Sequence, residues 1–535
     1  MSTTKYTKIG IVGAGSMGSM MCLLFAEAGP DISVFDVKGE NVDTAVEMAE
    51  KNPKTQGKVK GYKDYESFVV SLPAPGHRLL LFSITHGQPA DAVLDALRPH
   101  LARGDIILDG GNEWYANTER RQARLAREQG VAYVGMGVSG GYQSARHGPS
   151  LTPGGDPAAL RRVLPLLEAV AAKDARGTPC VAPVGPGGSG HYVKMVHNGI
   201  EQGMLGAIAE VWGLLRFNLG CELDEIGEIF KQWSETPELK KTFLLDIGVD
   251  ICQKRDPSVG QAGVSDNDHH VLSTVLDKVV QDADDTEGTG MWTVAEAARL
   301  HISAPTIAAS HFLRLASADR AARLKIGESL KLPPPPVGPR TTLSAQDKAL
   351  FVEELRQALY AACLAAFTQG LQLIARQSDR EGWGVSLATC LKVWRAGCII
   401  ASDRLLDAFA PVAADFDAAR TANAADGAPG SATSAPRDAA ATLPAHPRLG
   451  AALAHAFPGL RAAVLWALAR DAHVPTLGAA LEWAKCAGAG ALPTMFMEAQ
   501  LDWFGAHRFE RWGSDAARFG GEVRKGGAHY EWAPA

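Results

Sequence analysis

Residues 8–36 read KIGIVGAGSMGSMMCLLFAEAGPDISVFD, and this stretch decides the fold of the first part of the chain. A short apolar strand at Lys8–Val12 runs directly into the glycine-rich turn GAGSMG at 13–18. A helical pattern follows over 19–28, and a second apolar strand ends at the carboxylate of Asp36. A strand, a glycine turn, a helix, a second strand and a terminal acid in this order predict a βαβ unit.

The glycines of this turn have separate physical roles. Gly13 permits the tight turn, Gly15 lets the backbone approach a pyrophosphate, and Gly18 lets the helix pack closely on the strand. The helix N-terminus offers unpaired N–H groups and the positive end of its dipole to phosphates. We therefore predict a dinucleotide-binding turn rather than a glycine-rich turn without a ligand. Its residues are Gly13, Ala14, Gly15, Ser16, Met17 and Gly18.

The acid at the end of the second strand bears on the choice of cofactor. Asp36 is placed to accept hydrogen bonds from both ribose hydroxyls, and it would repel the 2′-phosphate of NADP. Lys38 is close enough in sequence to weaken this preference. The predicted cofactor is NAD or NADP, with Asp36 favouring NAD.

The next hundred residues alternate short apolar runs with helical patterns. Apolar runs at 79–84, 105–108 and 132–134 are separated by helical patterns at 90–101 and 118–129. This alternation predicts an open parallel sheet with helices on both faces. Ligands of such sheets bind beyond the carboxyl ends of the strands.

Two polar motifs follow strands of this sheet. Asn112 ends the segment DGGN, and Ser139, Gly140 and Gly141 follow a later strand. Both motifs should lie at the mouth of the cofactor site, where the serine–glycine segment can offer backbone N–H groups to an anion. An ordinary turn is the alternative interpretation of each.

A second decisive stretch is 187–203, GGSGHYVKMVHNGIEQG, in which small residues lead into a helix. His197, Asn198 and Glu201 follow Lys194 at i+3, i+4 and i+7, so the four side chains share one helical face. Taken alone, this pattern is also typical of a solvent-exposed face with a Lys–Glu pair. Beside a dinucleotide-binding turn it favours acid–base chemistry on a polar substrate.

Composition narrows the class of protein. The 535 residues carry a net charge of −6, which gives no basic excess for a nucleic acid. The eight cysteines are scattered singly, so neither a disulfide framework nor structural zinc is expected. We expect that no apolar run reaches membrane-spanning length and that the first strand leaves no room for a leader peptide. We expect a cytoplasmic protein without a metal, a membrane or a nucleic acid as partner.

Strand patterns almost vanish after Gly190, and helical patterns continue to the last forty residues. We predict a Rossmann-type α/β domain at 1–187, an all-helical substrate and dimerisation domain at 188–495, and a short irregular tail at 496–535. The proline run at 331–336 predicts a stiff extended connector. Residues 415–446 are rich in Ala, Ser, Pro and Gly and predict a disordered insertion.

The motifs together resemble those of the 6-phosphogluconate dehydrogenases, decarboxylating members of the 3-hydroxyacid dehydrogenase superfamily. The matching segments occur in the family's order and span nearly the whole chain. They are GAGSMG, DGGN, VSGGYQSARHGPSLTPGG, GSGHYVKMVHNGIEQG, EGTGMWT, WRAGCII and QLDWFGAH.

The resemblance implies a mechanism. Lys194 would take the proton of the substrate's 3-hydroxyl during hydride transfer and then assist decarboxylation at the keto oxygen. Glu201 would protonate the resulting enediol to give a ketopentose phosphate. Lys194 must be neutral to act as a base, so we expect it to be buried or close to another cation.

The resemblance also implies the residues that bind substrate and nicotinamide, and a homodimer in which the tail completes the partner's site. Asn112 would contact both substrate and cofactor. The other implied substrate-binding residues are Ser139, Gly140, Gly141, His197, Asn198, Gln202, Thr289, Arg314 and His507.

The family's phosphate site is only partly present. Glu287 stands in place of a phosphate-binding lysine, Leu501 in place of an arginine, and Gln202 in place of a tyrosine. Two further departures lie elsewhere, at Tyr142 and Thr85. Each lost charge-assisted contact to a phosphate would cost about 1.5–3 kcal/mol. A cation elsewhere in the chain could replace a lost phosphate contact, and the candidates are Arg299, Arg320 and Lys240.

We therefore expect oxidative decarboxylation of 6-phosphogluconate or a closely related sugar acid. One alternative is a dehydrogenase of a non-phosphorylated hexonate or another 3-hydroxy acid. A catalytically inactive sensor of a dinucleotide or sugar acid is a second alternative, but it has no need of the base and acid at Lys194 and Glu201.

Overall fold

The computed structural model describes residues 6–257, 269–279, 288–331, 343–425, 440–511 and 527–533. Within them an α/β layer comes first and a large helical body follows. The predicted fold class is confirmed, although the start of the tail is a helix rather than irregular chain. Glu287 and the proline run lie outside the described residues, so the predicted connector is not tested.

The α/β layer is built on a seven-stranded sheet of order β3-β2-β1-β4-β5-β6-β7. Its strands are β1 Lys8–Val12, β2 Asp31–Phe35, β3 Val59–Tyr62, β4 Leu79–Phe82, β5 Ile106–Asp109, β6 Ala132–Ser139 and β7 Ser150–Gly154. The first six strands are parallel, as predicted, but β7 runs antiparallel to β6, with Ser139 opposite Ser150. The sequence patterns missed β3, because its Lys60 and Gly61 are exposed, and β7, because Pro153 and Gly154 obscure its strand pattern.

Helices cover both faces of this sheet. They are α1 Ser16–Glu27, α2 Gly39–Glu50, α3 Tyr65–Val70, α4 Gln88–Leu97, α5 Tyr115–Gln129, α6 Gly141–His147 and α7 Pro157–Val170. Two apolar clusters result, one on each side of the strands. The strands are therefore buried on both faces, which explains their continuous apolar runs.

The helical body begins at Ser189 and is built around two long helices. Its helices are α8 Ser189–Gly213, α9 Leu223–Glu235, α10 Phe243–Gln253, α11 Thr289–Arg299, α12 Pro305–Ala318, α13 Arg320–Leu330, α14 Ala345–Glu381, α15 Leu387–Val393, α16 Asp403–Ala425, α17 Pro447–Leu468, α18 Pro475–Ala487 and α19 Thr494–Gly505. Helix α14 packs against both α8 and α17 and forms the centre of one large apolar core.

Two helices of the described chain are long and apolar enough to cross a membrane, α14 and α17, so the expectation that no apolar run reaches this length is wrong. The apolar window of α14 is entirely buried inside the protein. A buried core helix meets the same criterion of length and composition, so these two helices are weak evidence for a membrane.

The predicted disordered insertion at 415–446 is wrong at both ends. Helix α16 continues to Ala425, and its Phe416 is buried. Chain is described again from Ala440, which is fully buried beside the short 3-10 turn Leu443–Ala445. The small residues that suggested disorder pack on the core at these two ends, and 426–439 lie outside the described residues.

The described end of the chain folds back on α19. The buried carboxylate of Asp502 accepts hydrogen bonds from the backbone N–H of Arg508 at 2.9 Å and from Trp532 Nε1 at 2.8 Å. It also contacts His529 Nδ1 at 2.9 Å. Burial opposes ionisation of Asp502, but these hydrogen bonds together lower its pKa. Asp502 thus fixes the turn that follows α19.

All eight cysteines are free thiols, in agreement with the expectation that they form no disulfide framework. Seven are buried, and burial raises the pKa of Cys22 and of Cys363 to about 12. Cys486, near the end of α18, is exposed.

Candidate active site

The glycine turn between β1 and α1 has the geometry that a dinucleotide requires. Gly13 has a φ of 95°, and a Cβ there would lie 2.2 Å from the carbonyl oxygen of Ser83. A Cβ at Gly18 would lie 1.9 Å from the carbonyl oxygen of Gly13. A Cβ at Gly15 would meet no atom within 4 Å, so the space in front of the α1 N-terminus is open. The turn therefore fits a pyrophosphate.

Asp36 directly follows β2 beside this turn, and its side chain is buried. One carboxylate oxygen accepts a hydrogen bond from the backbone N–H of Ala14 at 2.7 Å. The other accepts one from the N–H of Lys38 at 2.8 Å. Asp36 therefore holds the glycine turn in place, and each oxygen keeps acceptor capacity for a ribose hydroxyl.

Helix α8 packs directly on β6 because glycines let the backbones of the helix and the strand come into contact. A Cβ at Gly137 on β6 would lie 2.5 Å from the Cβ of Lys194. A Cβ at Gly190 would lie 2.1 Å from the carbonyl oxygen of Gly135. Any larger residue would push the helix away, so these glycines set the position of Lys194 relative to the strands.

His191 joins α8 to the segment after β5. Its Nε2 lies 2.9 Å from the carbonyl oxygen of Asp109 and must donate to it. Its Nδ1 lies 2.6 Å from the hydroxyl oxygen of Thr118. This buried imidazole links the helix to the DGGN segment.

The predicted stripe on α8 exists, but most of it is buried. Lys194 has an exposed fraction of 7%, which confirms the expected burial, and His197 has 0%. Asn198 is also buried, whereas the side chain of Glu201 is 21% exposed. A stripe of this polarity in the interior is not a solvent-exposed face, so that alternative interpretation is wrong.

The hydrogen bonds of the stripe fix the state of His197. Asn198 Nδ2 donates to Thr289 Oγ1 at 3.0 Å, so Asn198 Oδ1 is the atom that faces His197 Nδ1 at 3.0 Å. Nδ1 then carries the proton, and Nε2 is an acceptor. Burial, with the charge of Lys194, holds the pKa of His197 well below its usual range. His197 is therefore neutral, and Nε2 has no hydrogen-bond partner among the described residues.

The DGGN segment is held by buried charges beneath it. Arg121 Nη1 lies 2.6 Å from a carboxylate oxygen of Glu113 and 3.6 Å from one of Asp109. Glu113 also accepts the backbone N–H of Gly87 at 2.8 Å. Asn112 stands above this network and is exposed, as a ligand-contacting side chain should be.

The segment Ser139, Gly140 and Gly141 forms a turn at the end of β6. Gly140 and Gly141 have φ values of 102° and 65°, and Ser139 is buried. A Cβ at Gly140 would lie 2.4 Å from the carbonyl oxygen of Gly397, in the segment WRAGCII. The ring of Trp394, from the same segment, packs 5.9 Å from that of His197. Trp394 and Gly397 thus support the turn and the stripe.

A cavity of about 730 Å³ opens beside the stripe. Asn198, Glu201 and Gln202 line it from α8, and Thr289 and Arg314 line it from α11 and α12. The buried Gln202 Oε1 has no hydrogen-bond partner among the described residues. The cavity is therefore polar at the stripe and offers an acceptor that a hydroxyl-bearing ligand can satisfy.

Comparison with known proteins identifies the family. The model of the NAD-binding domain of 6-phosphogluconate dehydrogenase matches residues 8–185, and that of its C-terminal domain matches residues 190–532. The chain belongs to the 6-phosphogluconate dehydrogenase family.

Individual members of the 6-phosphogluconate dehydrogenase family are similar over nearly the full length. The decarboxylating 6-phosphogluconate dehydrogenase of Emericella nidulans is 46% identical over 97% of this chain and 100% of its own. The chloroplastic decarboxylating enzyme 2 of Oryza sativa is 37% identical over 98% of this chain and 93% of its own. A solved structure is also similar, that of the Plasmodium falciparum 6-phosphogluconate dehydrogenase in its apo form and in complexes with NADP+ and 6-phosphogluconate. It is 30% identical and has a TM-score of 0.78, and the match covers 98% of this chain and 100% of that one.

Several residues that the 6-phosphogluconate dehydrogenase resemblance implies do not line the cavity in the single chain, namely Asn112, Ser139, Gly140, Gly141, Lys194, His197 and His507. His507 is exposed and follows α19, and it is absent from the cavity lining. Leu501, on α19, is also absent from that lining. Completion of a partner's site by His507 stays a prediction.

The suggested compensating cations do not line the cavity beside the stripe. Arg299 binds Glu296 at 2.5 Å, and Arg320 binds Asp277 at 2.6 Å. Lys240 lines a separate cavity together with Arg395. The cation that the sequence did not single out is Lys278, which lines the cavity beside the stripe. Lys278 belongs to no recognisable motif, so its place in the cavity lining is known only from the packing of its segment.

Proposed function

We propose that the protein oxidises and decarboxylates 6-phosphogluconate or a close relative, with hydride transfer to NAD or NADP. The observation that carries this proposal is the buried stripe on α8, where Lys194 and Glu201 flank an imidazole and an amide. Two acceptors, His197 Nε2 and Gln202 Oε1, have no partner among the described residues and suit a substrate with several hydroxyl groups. Membership of the family supports the same reaction.

In the first step, neutral Lys194 accepts the proton of the 3-hydroxyl while C3 is oxidised by two electrons. A bound oxidised nicotinamide would accept the hydride from C3. Lys194 is suited to this role because its burial disfavours the charged form. His197 and Asn198 hold the substrate's hydroxyl groups in position for proton transfer.

In the second step, the bond between C1 and C2 breaks, and its electron pair moves toward the C3 keto oxygen. Protonated Lys194 donates to that oxygen as carbon dioxide leaves. Glu201 then protonates C2 of the enediol while Lys194 takes back the proton of the C3 hydroxyl, which completes the ketopentose phosphate. Glu201 is partly exposed, so it can recover a proton from solvent. This chemistry needs no metal, and no cluster of three or more His, Cys, Asp or Glu side chains suited to a metal occurs in the described residues.

We propose NAD as the preferred cofactor because the Asp36 carboxylate would face a 2′-phosphate. The cofactor-binding residues are those of the turn at 13–18, with Asp36 and Asn112. Asp36→Asn keeps the oxygen that accepts the Ala14 N–H but removes the charge. The ratio of kcat/KM for NADP to that for NAD should rise about tenfold. An unchanged ratio would contradict the role of Asp36.

We also propose a homodimer in which His507 completes the partner's site. Asp502 is the only residue of α19 that the described structure buries. Large apolar side chains on this helix are exposed, namely Met495, Phe496, Met497, Trp503 and Phe504. An apolar surface of this size requires a cover, and a second copy of the chain would supply it.

The division into domains at 187/188 is likewise proposed, since α8 begins at Ser189. The boundary at 495/496 falls inside α19, so the helical part extends to Gly505. A cytoplasmic location stays a prediction, since relatives include a chloroplastic enzyme of rice.

One assay separates the candidate functions. Nicotinamide reduction and carbon dioxide release are followed with 6-phosphogluconate and with gluconate, each with NAD and with NADP. We expect both products from 6-phosphogluconate in equal amounts. Efficient turnover of gluconate with poor use of the phosphate ester would favour the non-phosphorylated substrate. Tight dinucleotide binding without turnover of either acid would favour a sensor.

A further inference from the structure

A lysine at the far end of the cavity has no assigned role in the reaction. Lys278 lines the cavity together with Arg314, on the side of α12. Its side chain forms no hydrogen bond or ion pair with any residue that the structure describes. Among the described residues, none competes with a ligand for this cation.

The segment that carries Lys278 is fixed on both sides. The backbone N–H of Val279 donates to Ser317 Oγ at 3.0 Å, and that hydroxyl donates to the carbonyl oxygen of Arg314 at 2.7 Å. On the other side, Asp277 binds Arg320 at 2.6 Å and Arg323 at 2.8 Å. Lys278 is therefore held beside the helical turn that carries Arg314.

The charges around this end of the cavity favour an anion. Of the described residues, two acidic ones line the cavity, Glu201 and Asp277. Two arginines of α13 bind Asp277, and Glu201 belongs to the reacting end. Lys278 therefore places a positive charge on the lining beside Arg314, and a lysine next to an arginine is suited to a phosphate monoester.

We propose that Lys278 binds the phosphate of the sugar acid and takes over part of the recognition lost at positions 287 and 501. This inference rests on the proposed function, because it assigns the end of the same substrate that lies away from Lys194. The differences from the family at positions 287 and 501 would then be offset in part by a phosphate contact at Lys278.

The test compares Lys278→Met with the unchanged protein on 6-phosphogluconate and on gluconate. We expect KM for 6-phosphogluconate to rise about 10- to 100-fold, with kcat within twofold and the constants for gluconate unchanged. Inorganic phosphate should inhibit the unchanged protein competitively and the variant far more weakly. Lys278→Arg should restore most of the affinity, because it keeps the charge.

Lys325→Met is the matched control, since Lys325 is exposed on α13 and does not line the cavity. It should leave all constants unchanged. Equal losses on both acids, or no loss on 6-phosphogluconate, would overturn the role of Lys278 while the proposed function stands. If the unchanged protein neither binds 6-phosphogluconate by calorimetry nor turns it over, the proposed function itself fails. An equal melting temperature for each variant shows that folding is not the cause.

Discussion

At the scale of single residues, the site depends on polar side chains in the interior of the protein. His197 is fully buried and neutral, and Lys194 is nearly buried beside it. His197 Nε2 has no hydrogen-bond partner among the described residues, and leaving a buried polar atom unpaired costs about 1–3 kcal/mol. The fold tolerates this cost where a ligand supplies the missing hydrogen bonds, so these residues are better explained by binding and catalysis than by stability.

Replacing Lys194 with methionine tests the proposed base directly. Lys194→Met keeps the length of the buried side chain but removes the group that accepts the proton. We expect nicotinamide reduction to fall at least 1,000-fold, because the 3-hydroxyl loses its base. Dinucleotide binding, measured by fluorescence titration, should stay within twofold. Persistent reduction would assign the base to another residue, and Lys8→Met, on β1, is a suitable control.

Much of the site could be predicted from sequence because its groups are close together in the chain. The spacing of Lys194, His197, Asn198 and Glu201 on one helix fixes their common face. Sequence could not place Lys278, because its position depends on Ser317 and on α13, which are distant in the chain. Nor could it show that Arg299 is already bound to Glu296.

At the scale of elements, buried strands and long helices were predictable, whereas weakly patterned elements were not. Strands β1, β2, β4, β5 and β6 follow continuous apolar runs, since both faces of the sheet are covered. Helix α16 was missed beyond residue 414 because its alanines suggested disorder. Alanine forms helices well, and tertiary contacts at Phe416 secure this one.

The start of α18 carries a prediction about pH and stability. Both carboxylate oxygens of Glu210 accept backbone N–H groups there, from Thr476 at 2.6 Å and Leu477 at 2.9 Å. Burial nevertheless raises the pKa of Glu210 to about 7, from 4.5 in the unfolded chain. The folded state therefore holds this proton more tightly, and the stability it contributes is full below pH 4.5 and is lost as pH rises through 7.

Glu210→Gln should remove this part of the pH dependence. Between pH 5 and pH 8 the free energy of unfolding of the unchanged protein should fall relative to that of the variant, by on the order of 3 kcal/mol at most. Urea unfolding at several pH values measures the difference. Glu482→Gln, on the exposed face of the same helix, should show no such change. Parallel pH profiles for the Glu210 variant and the unchanged protein would disprove a raised pKa.

At the scale of the whole molecule, many of the exposed apolar side chains lie on three helices, α12, α13 and α19. Helix α13 buries no residue, and α19 buries Asp502 alone among its own residues. Exposed apolar residues also occur on α12, where Phe312 and Leu315 face outward near the cavity. Such surfaces next to a site are typical of an obligate dimer interface.

Dimer assembly and activity should therefore be lost together. Phe504→Ser removes an exposed aromatic ring of α19 and should lower the dimer affinity at least tenfold. Sedimentation at decreasing concentration gives the dissociation constant, and the specific activity should fall over the same range. Val70→Ser also removes an exposed apolar side chain, but from α3 in the α/β domain, and serves as the control. A fully active monomer would contradict the role proposed for His507.

The distribution of thiols has a practical consequence for observing this assembly. Since seven cysteines are buried and Cys486 is exposed, a thiol-reactive dye should label the native protein at one position. That position lies a few residues before α19, so the dye would report on the chain end without any engineered cysteine. Two labelled copies would bring their dyes together on association, and the decay of that energy-transfer signal would time the separation of the subunits.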